Sequence, residues 1–174
     1  MASLEDIHVF DIPEDILDEV RMHVMLSPTK LEYFNTRVQQ LSDEDIEYWS
    51  SSHKVTNWLE SLGQQAWGGD WYTDSHGYRI STVDLSTNDF HVHLDDHIEG
   101  DLQAVMWVNG DIGCGGDMRV YHYGEDPKDE NAQYTDYMFQ PGKIFLWNVK
   151  CWHRLNQYKG RQPRYAVTMS YLPK

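Results

Sequence analysis

Basic side chains are scarce in this chain. Its 174 residues hold 14 Lys plus Arg against 28 Asp plus Glu, a formal net charge of −14 with histidine neutral. A charge of that sign and size repels phosphate, so nucleic acid and anionic membrane surfaces are not expected partners. Cysteine is scarcer still. Cys114 and Cys151 form no CxxC pair, so neither a disulfide framework nor a cysteine-type zinc site is expected. Two reduced cysteines fit a cytoplasmic protein, and the stretch MASLEDIHVF lacks the basic n-region and apolar run of a secretory signal. No segment approaches the roughly 18 apolar residues of a membrane span. Internal repeats and low-complexity segments are also missing. What is present is 40% hydrophobic and 13% aromatic residues, enough for one packed core, so residues 1–174 are expected to form a single domain.

Two grammars divide that domain. Residues 1–70 read as a strand followed by helices, a support region. Ile7, Val9 and Phe10 form a short β-like run, and Pro13-Glu14-Asp15 opens a helix with proline in its first turn and acids facing the dipole. Ile16, Leu17, Val20 and Val24 fall at helical spacing. Ser42 with Asp45 resembles a helix start, and Val55, Trp58, Leu59 and Leu62 share one face of a helix from about 54 to 65. Residues 71–174 instead carry short Val-, Ile-, Tyr-, Trp- and Phe-rich runs broken by Gly, Asp, Asn and Pro. Strands are expected near 78–85, 90–95, 102–109, 117–122, 134–139, 143–148, 152–158 and 164–172, a mainly β sandwich or barrel with N-terminal helices. Residues 124–133 read as a polar loop.

Nine histidines are present, and three crowd together. Residues 91–97 read His91-Val92-His93-Leu94-Asp95-Asp96-His97. On a strand, alternate side chains share a face, so His91, His93 and Asp95 can point the same way. A histidine and a carboxylate two residues apart can hold one metal ion, with the third ligand from elsewhere. His153, in an apolar run, is the best candidate for that third ligand. Two histidines and one carboxylate leave three positions open, a set that suits non-haem Fe(II) sites that use O₂.

Eleven residues after His153 stands Arg164, at the head of the apolar run Arg164-Tyr165-Ala166-Val167-Thr168. An inward arginine offers a planar fork to a carboxylate. The partner is either an internal Asp or Glu, or the distal carboxylate of a bound dicarboxylic acid.

From about residue 78 to 172 the chain resembles the Fe(II)/2-oxoglutarate-dependent dioxygenases, especially their prolyl 4-hydroxylase-like branch. Four blocks stand in the family's order. His93-Leu94-Asp95 matches the HxD element. Ala104-Val105-Met106-Trp107-Val108-Asn109 followed by Gly115-Gly116-Asp117-Met118 resembles the apolar strand and its Gly-Gly-acid sequel. Gln140-Pro141-Gly142-Lys143-Ile144-Phe145 resembles the Pro-x-Gly hairpin, and His153 with the Arg164 strand resembles the distal histidine and co-substrate strand. The resemblance implies a double-stranded β-helix (jelly-roll) barrel buttressed by helices. It implies His93, Asp95 and His153 as Fe(II) ligands, and Arg164 as partner of the C5 carboxylate of 2-oxoglutarate. Trp107 stands where a tyrosine often helps hold that carboxylate, and Thr168 lies on the same strand face as Arg164. Val83 to Phe90 lacks the family's usual co-substrate tyrosine. The implied activity is hydroxylation of a C–H bond with O₂ as co-substrate and ascorbate as a reductant. A peptidyl proline is the favoured substrate, with a free amino acid or other small molecule as the alternative.

Three other readings compete. A cupin-like metal protein places His93 too far from Glu99 and gives Arg164 no role. A nucleic-acid demethylase of the same superfamily has a second arginine six residues after the first, where this chain has Ser170, and the −14 charge opposes a phosphate backbone. An inactive interaction module would not need the intact set of His93, Asp95, His153 and Arg164.

Overall fold

The computed structural model describes residues 7–26, 31–32, 47–48, 52–73, 79–83, 102–162 and 164–174. The expected strand at 90–95 and the helix start at Ser42 lie outside the described residues, and so do His91, His93, Asp95 and His97. The described chain is mainly β with two long helices. No helix among these residues is long and apolar enough to cross a membrane.

Helix α1 (Glu14–Leu26) begins where the sequence places it. The Pro13 carbonyl accepts from Leu17 N–H at 2.8 Å, and Glu14 and Asp15 occupy the first turn. Its buried positions, Ile16, Val20 and Val24, repeat every four residues. Helix α2 (His53–Trp67) buries Val55, Leu59, Leu62 and Ala66 on one stripe.

Two short additions, Leu31–Glu32 and Trp71–Thr73, join eight strands that follow the expected punctuation, so the described residues form ten strands. They are β1 (His8–Asp11), β2 (Leu31–Glu32), β3 (Trp71–Thr73), β4 (Arg79–Val83), β5 (Leu102–Asn109), β6 (Met118–Tyr121), β7 (Tyr134–Tyr137), β8 (Lys143–Asn148), β9 (His153–Leu155) and β10 (Arg164–Pro173). A seven-stranded sheet has the order β1-β8-β5-β10-β4-β2, with β3 also on β10. A three-stranded sheet has the order β7-β6-β9. All pairings are antiparallel except β2 with β4. Strands β1 and β2 come from the N-terminal stretch and extend the same sheet as β5, β8 and β10, so that stretch supplies sheet as well as helix.

The large sheet is covered on both faces, which explains the almost unbroken burial of β5. Leu102, Ala104, Met106 and Val108 belong to one core with α1, α2, Ile144, Leu146, Val167 and Met169. Val105 and Trp107 belong to a second core with Phe145, Trp147 and Ala166, closed by Met118 and Val120 of the small sheet. Alternation along each strand sends successive residues to opposite cores. Tyr171 ties the helical layer down: its hydroxyl donates to the Leu59 carbonyl at 2.7 Å, fully buried.

Candidate active site between the two sheets

The second core is where the sequence-predicted residues meet. Register fixes which side chains line it. Across β10, β5 and β8 the cross-strand rows are Ala166, Trp107 and Lys143; then Thr168, Val105 and Phe145; then Ser170, Gln103 and Trp147. Side chains directly opposite share a face. Because Ala166, Trp107, Val105, Phe145 and Trp147 line the second core, alternation puts Arg164, Thr168, Ser170 and Gln103 on that face too.

Arg164 is 1% exposed. Its guanidinium carbon sits 5.0 Å from the Phe139 ring centroid and 5.5 Å from that of Trp107. Gly116 lets it lie there. A Cβ on Gly116 would stand 3.1 Å from Arg164 Cδ and 3.1 Å from Tyr158 Cδ2, and the residue has φ +79°, which L side chains rarely adopt. Asp117, the acid after the two glycines, accepts from Phe139 N–H at 2.9 Å and so fixes one aromatic wall. Tyr158 forms another. Its hydroxyl donates to the Gln162 carbonyl at 2.5 Å and accepts from Asp111 N–H at 2.8 Å, and burial pushes the phenol above its ordinary pKa.

Trp107 is fully buried, and its ring packs 4.3 Å from Phe145 and 5.0 Å from Phe139, centroid to centroid. Its indole Nε1–H has no acceptor among the described residues. A buried donor left unpaired costs about 1–3 kcal/mol. The same interior holds two further orphans, the Trp147 Nε1–H and the Gln103 Oε1 acceptor, and both residues are buried. Thr168 is half-buried on the same face.

His153 enters from the opposite sheet. It lies directly opposite Val120 on β6 and is 6% exposed, with its ring 5.5 Å from that of Trp147. The Cys151 carbonyl lies 3.1 Å from His153 Nδ1. A carbonyl can only accept, so Nδ1 is the donor in this contact, and in the neutral form of the ring the lone pair then lies on Nε2. That is the tautomer a metal-binding histidine needs, held by an outer hydrogen bond of the usual kind. Both cysteines are free thiols; Cys151 is buried and Cys114 half-exposed.

The interior therefore gathers His153, Arg164, Trp107 and Thr168 from three strands. His93 and Asp95 fall outside the described residues, and no group of three potential metal-ligating side chains occurs among the described ones. Among the nearby aromatic residues, Trp147, Tyr121 and Tyr158 are buried, Trp152 is half-buried and Tyr123 is exposed. Gln103, Phe139 and Gly116 belong to the site's wall and were not singled out as site residues by sequence. The signal for Gln103 was available: it is an amide at an inward position of an apolar strand.

No protein-family model matches the chain, and no curated protein does. Solved structures do. A Pseudomonas putida prolyl-4-hydroxylase is 12% identical, with a TM-score of 0.63 over 97% of this chain and 88% of that one. The non-heme alpha ketoglutarate dependent epimerase SnoN from nogalamycin biosynthesis is 10% identical, with a TM-score of 0.74 over 97% and 78%. EctD from S. alaskensis with bound Fe is 13% identical, with a TM-score of 0.66 over 97% and 73%. At such identities the likeness is one of architecture: helices and antiparallel sheets are arranged here as they are in these non-heme and iron-binding proteins.

Proposed function

We propose that this chain is an Fe(II)/2-oxoglutarate-dependent dioxygenase that hydroxylates a C–H bond, built on a jelly-roll barrel. The observation that carries the reading is the fully buried Arg164 beside the unpaired Trp107 indole N–H, on one interior face. A cation and a neutral donor converging in an aromatic chamber suit the distal carboxylate of a dicarboxylic acid. A cupin-like reading leaves both groups without purpose. His93, Asp95 and His153 would hold the metal, with His153 kept in the ligating tautomer by the Cys151 carbonyl.

When bound, iron(II), 2-oxoglutarate and O₂ supply the oxidation of C–H to C–OH, with CO₂ and succinate released. The protein's own residues do the rest. Arg164 neutralises and orients the co-substrate's far carboxylate, and Trp107 adds one hydrogen bond. Thr168 offers a hydroxyl from the same strand face. Phe139, Phe145 and Tyr158 keep water from the charge pair, which strengthens it. Ascorbate fits as the reductant that restores iron(II) after unproductive turnover. Free thiols and the absence of any disulfide among the described residues accord with a cytoplasmic setting.

The motif order favours a peptidyl proline as the acceptor, and the Pseudomonas prolyl-4-hydroxylase shares the fold. A small-molecule acceptor is the second reading. It is favoured by tryptophan at position 107, where the prolyl hydroxylases resembled here often have tyrosine, and by the higher TM-score of the epimerase SnoN. One experiment tests the common core. Iron(II) and 2-oxoglutarate added without oxygen should give a weak visible charge-transfer band, and air should then release succinate. A well-folded protein that shows neither is not such an enzyme. Candidate peptides and small molecules are then sorted by a mass gain of one oxygen.

Trp107→Phe tests the indole separately. Phenylalanine stays aromatic but loses the donor and part of the ring's volume. Without co-substrate the variant should melt somewhat lower than the parent, because the void left in the core outweighs the gain from removing an orphaned donor. The thermal stabilisation given by 2-oxoglutarate should fall, with an apparent requirement about 5- to 20-fold higher, equivalent to about 1–2 kcal/mol. An undiminished stabilisation would remove Trp107 from the co-substrate pocket.

A further inference from the structure

His153 faces the interior, so its neighbour Arg154 faces the other way. On that outer side of the small sheet, Asp136, Arg119 and Arg154 lie side by side across β7, β6 and β9. Two guanidinium groups directly opposite each other repel. Asp136 hydrogen-bonds one of them, Arg119, and attracts the other, Arg154, through charge alone. Both of its oxygens are taken by Arg119, at 2.7 Å from Nε and 2.8 Å from a terminal nitrogen, and the Arg119 charge also stacks 3.8 Å over the Tyr134 ring. Arg154 has no hydrogen-bond acceptor or ion-pair partner among the described residues, and its Nε is buried. A partly buried arginine left this way is unusual in a chain with 28 acids to 14 bases.

Arg154 lines an open cavity of about 680 Å³. The other walls include Lys159, Asn156, Gln157 and the turn backbone at Gly113 and Gly115; no carboxylate lines it among the described residues. Two cations and two amide side chains thus converge on one hollow of an otherwise acidic surface. The structural need is for an acceptor with two oxygens that can meet a guanidinium fork, plus a charge that the second cation can share.

We propose that this cavity binds an oxyanion, a carboxylate or phosphate group carried by a small molecule, with Arg154 as the forked donor and Lys159 as the second charge. The site is independent of the proposed chemistry between the sheets, because it uses the opposite face of β9.

The test is a ¹⁵N–¹H titration of the full chain with inorganic phosphate and with citrate, each against sodium chloride at matched ionic strength. At least one of the two anions should give saturable shifts at the Arg154 side-chain Nε–H and the Gly113 and Gly115 amides, and comparison of the two separates phosphate from carboxylate. Arg154→Met should weaken that binding at least tenfold and Lys159→Met several-fold. Lys150→Met, an exposed cation outside the cavity, should leave it unchanged. Should Arg154→Met fail to fold, Lys159→Met at an exposed position carries the comparison. Shifts that merely track ionic strength, or saturable binding that survives both variants, would overturn the proposal. So would capture of an Asp/Glu-rich peptide by a protein that takes up neither anion, since the source would then be a macromolecule.

Discussion

Arg164→Met should raise the 2-oxoglutarate requirement more than any other single change in the pocket. Methionine keeps much of the arginine stem's volume and flexibility, so the aromatic chamber of Phe139, Trp107 and Tyr158 stays filled. What disappears is the charge. Truncating one partner of a buried, hydrogen-bonded charge pair costs roughly 2–5 kcal/mol, which is about 30-fold or more in affinity. The loss should appear as a higher apparent requirement in succinate release and as a smaller thermal stabilisation by added 2-oxoglutarate. Arg164→Lys should recover only part of it, because a point charge cannot present two parallel donors. If Arg164 instead served an internal carboxylate, the variant would be destabilised without co-substrate while a folded remainder bound 2-oxoglutarate normally. Circular dichroism and melting curves taken beside the titration separate the two outcomes.

Why the arginine can be buried at all was only half legible in the sequence. The strand was readable: an arginine heading an apolar run, eleven residues past a histidine. The alternation that turns Arg164, Ala166 and Thr168 to one core and Val167, Met169 and Tyr171 to the other follows from strand geometry. The close approach of Gly116 was not readable, since it depends on how β6 sits against β10, some 50 residues away. Nor was the Asp117 hydrogen bond that sets Phe139. Short strands such as β2 and β3 also escaped, because two or three residues carry no periodicity and exist only through pairing with β4 and β10. The row of Asp136, Arg119 and Arg154 is the same kind of fact. It rests on the register of three strands and leaves no trace in local sequence.

The metal ligands are open to an equally sharp test, in which the crowded histidines are the useful contrast. Asp95→Ala should abolish metal-supported turnover, and His93→Ala and His153→Ala should each weaken iron(II) binding by at least about 100-fold. Loss of an outer hydrogen-bond partner alone costs about 10–100-fold, and a direct ligand should cost no less. His153→Ala also leaves a void beside Trp147 and Val120, so His153→Gln, closer in size, is the companion variant. Metal retained after desalting, together with the anaerobic charge-transfer band, reads binding without relying on turnover. His91→Ala is the deciding control. On the strand that the sequence predicts there, His91 would share the parity of His93 and Asp95, so parity alone does not choose between the two histidines. The resemblance to an HxD element would choose His93, so the proposed function leaves His91 outside the ligand set. A His91→Ala protein that binds iron(II) normally, beside a His93→Ala protein that does not, supports that choice. The reverse pattern would move the ligand set two residues back along the strand, and full activity in Asp95→Ala would dissolve the triad altogether.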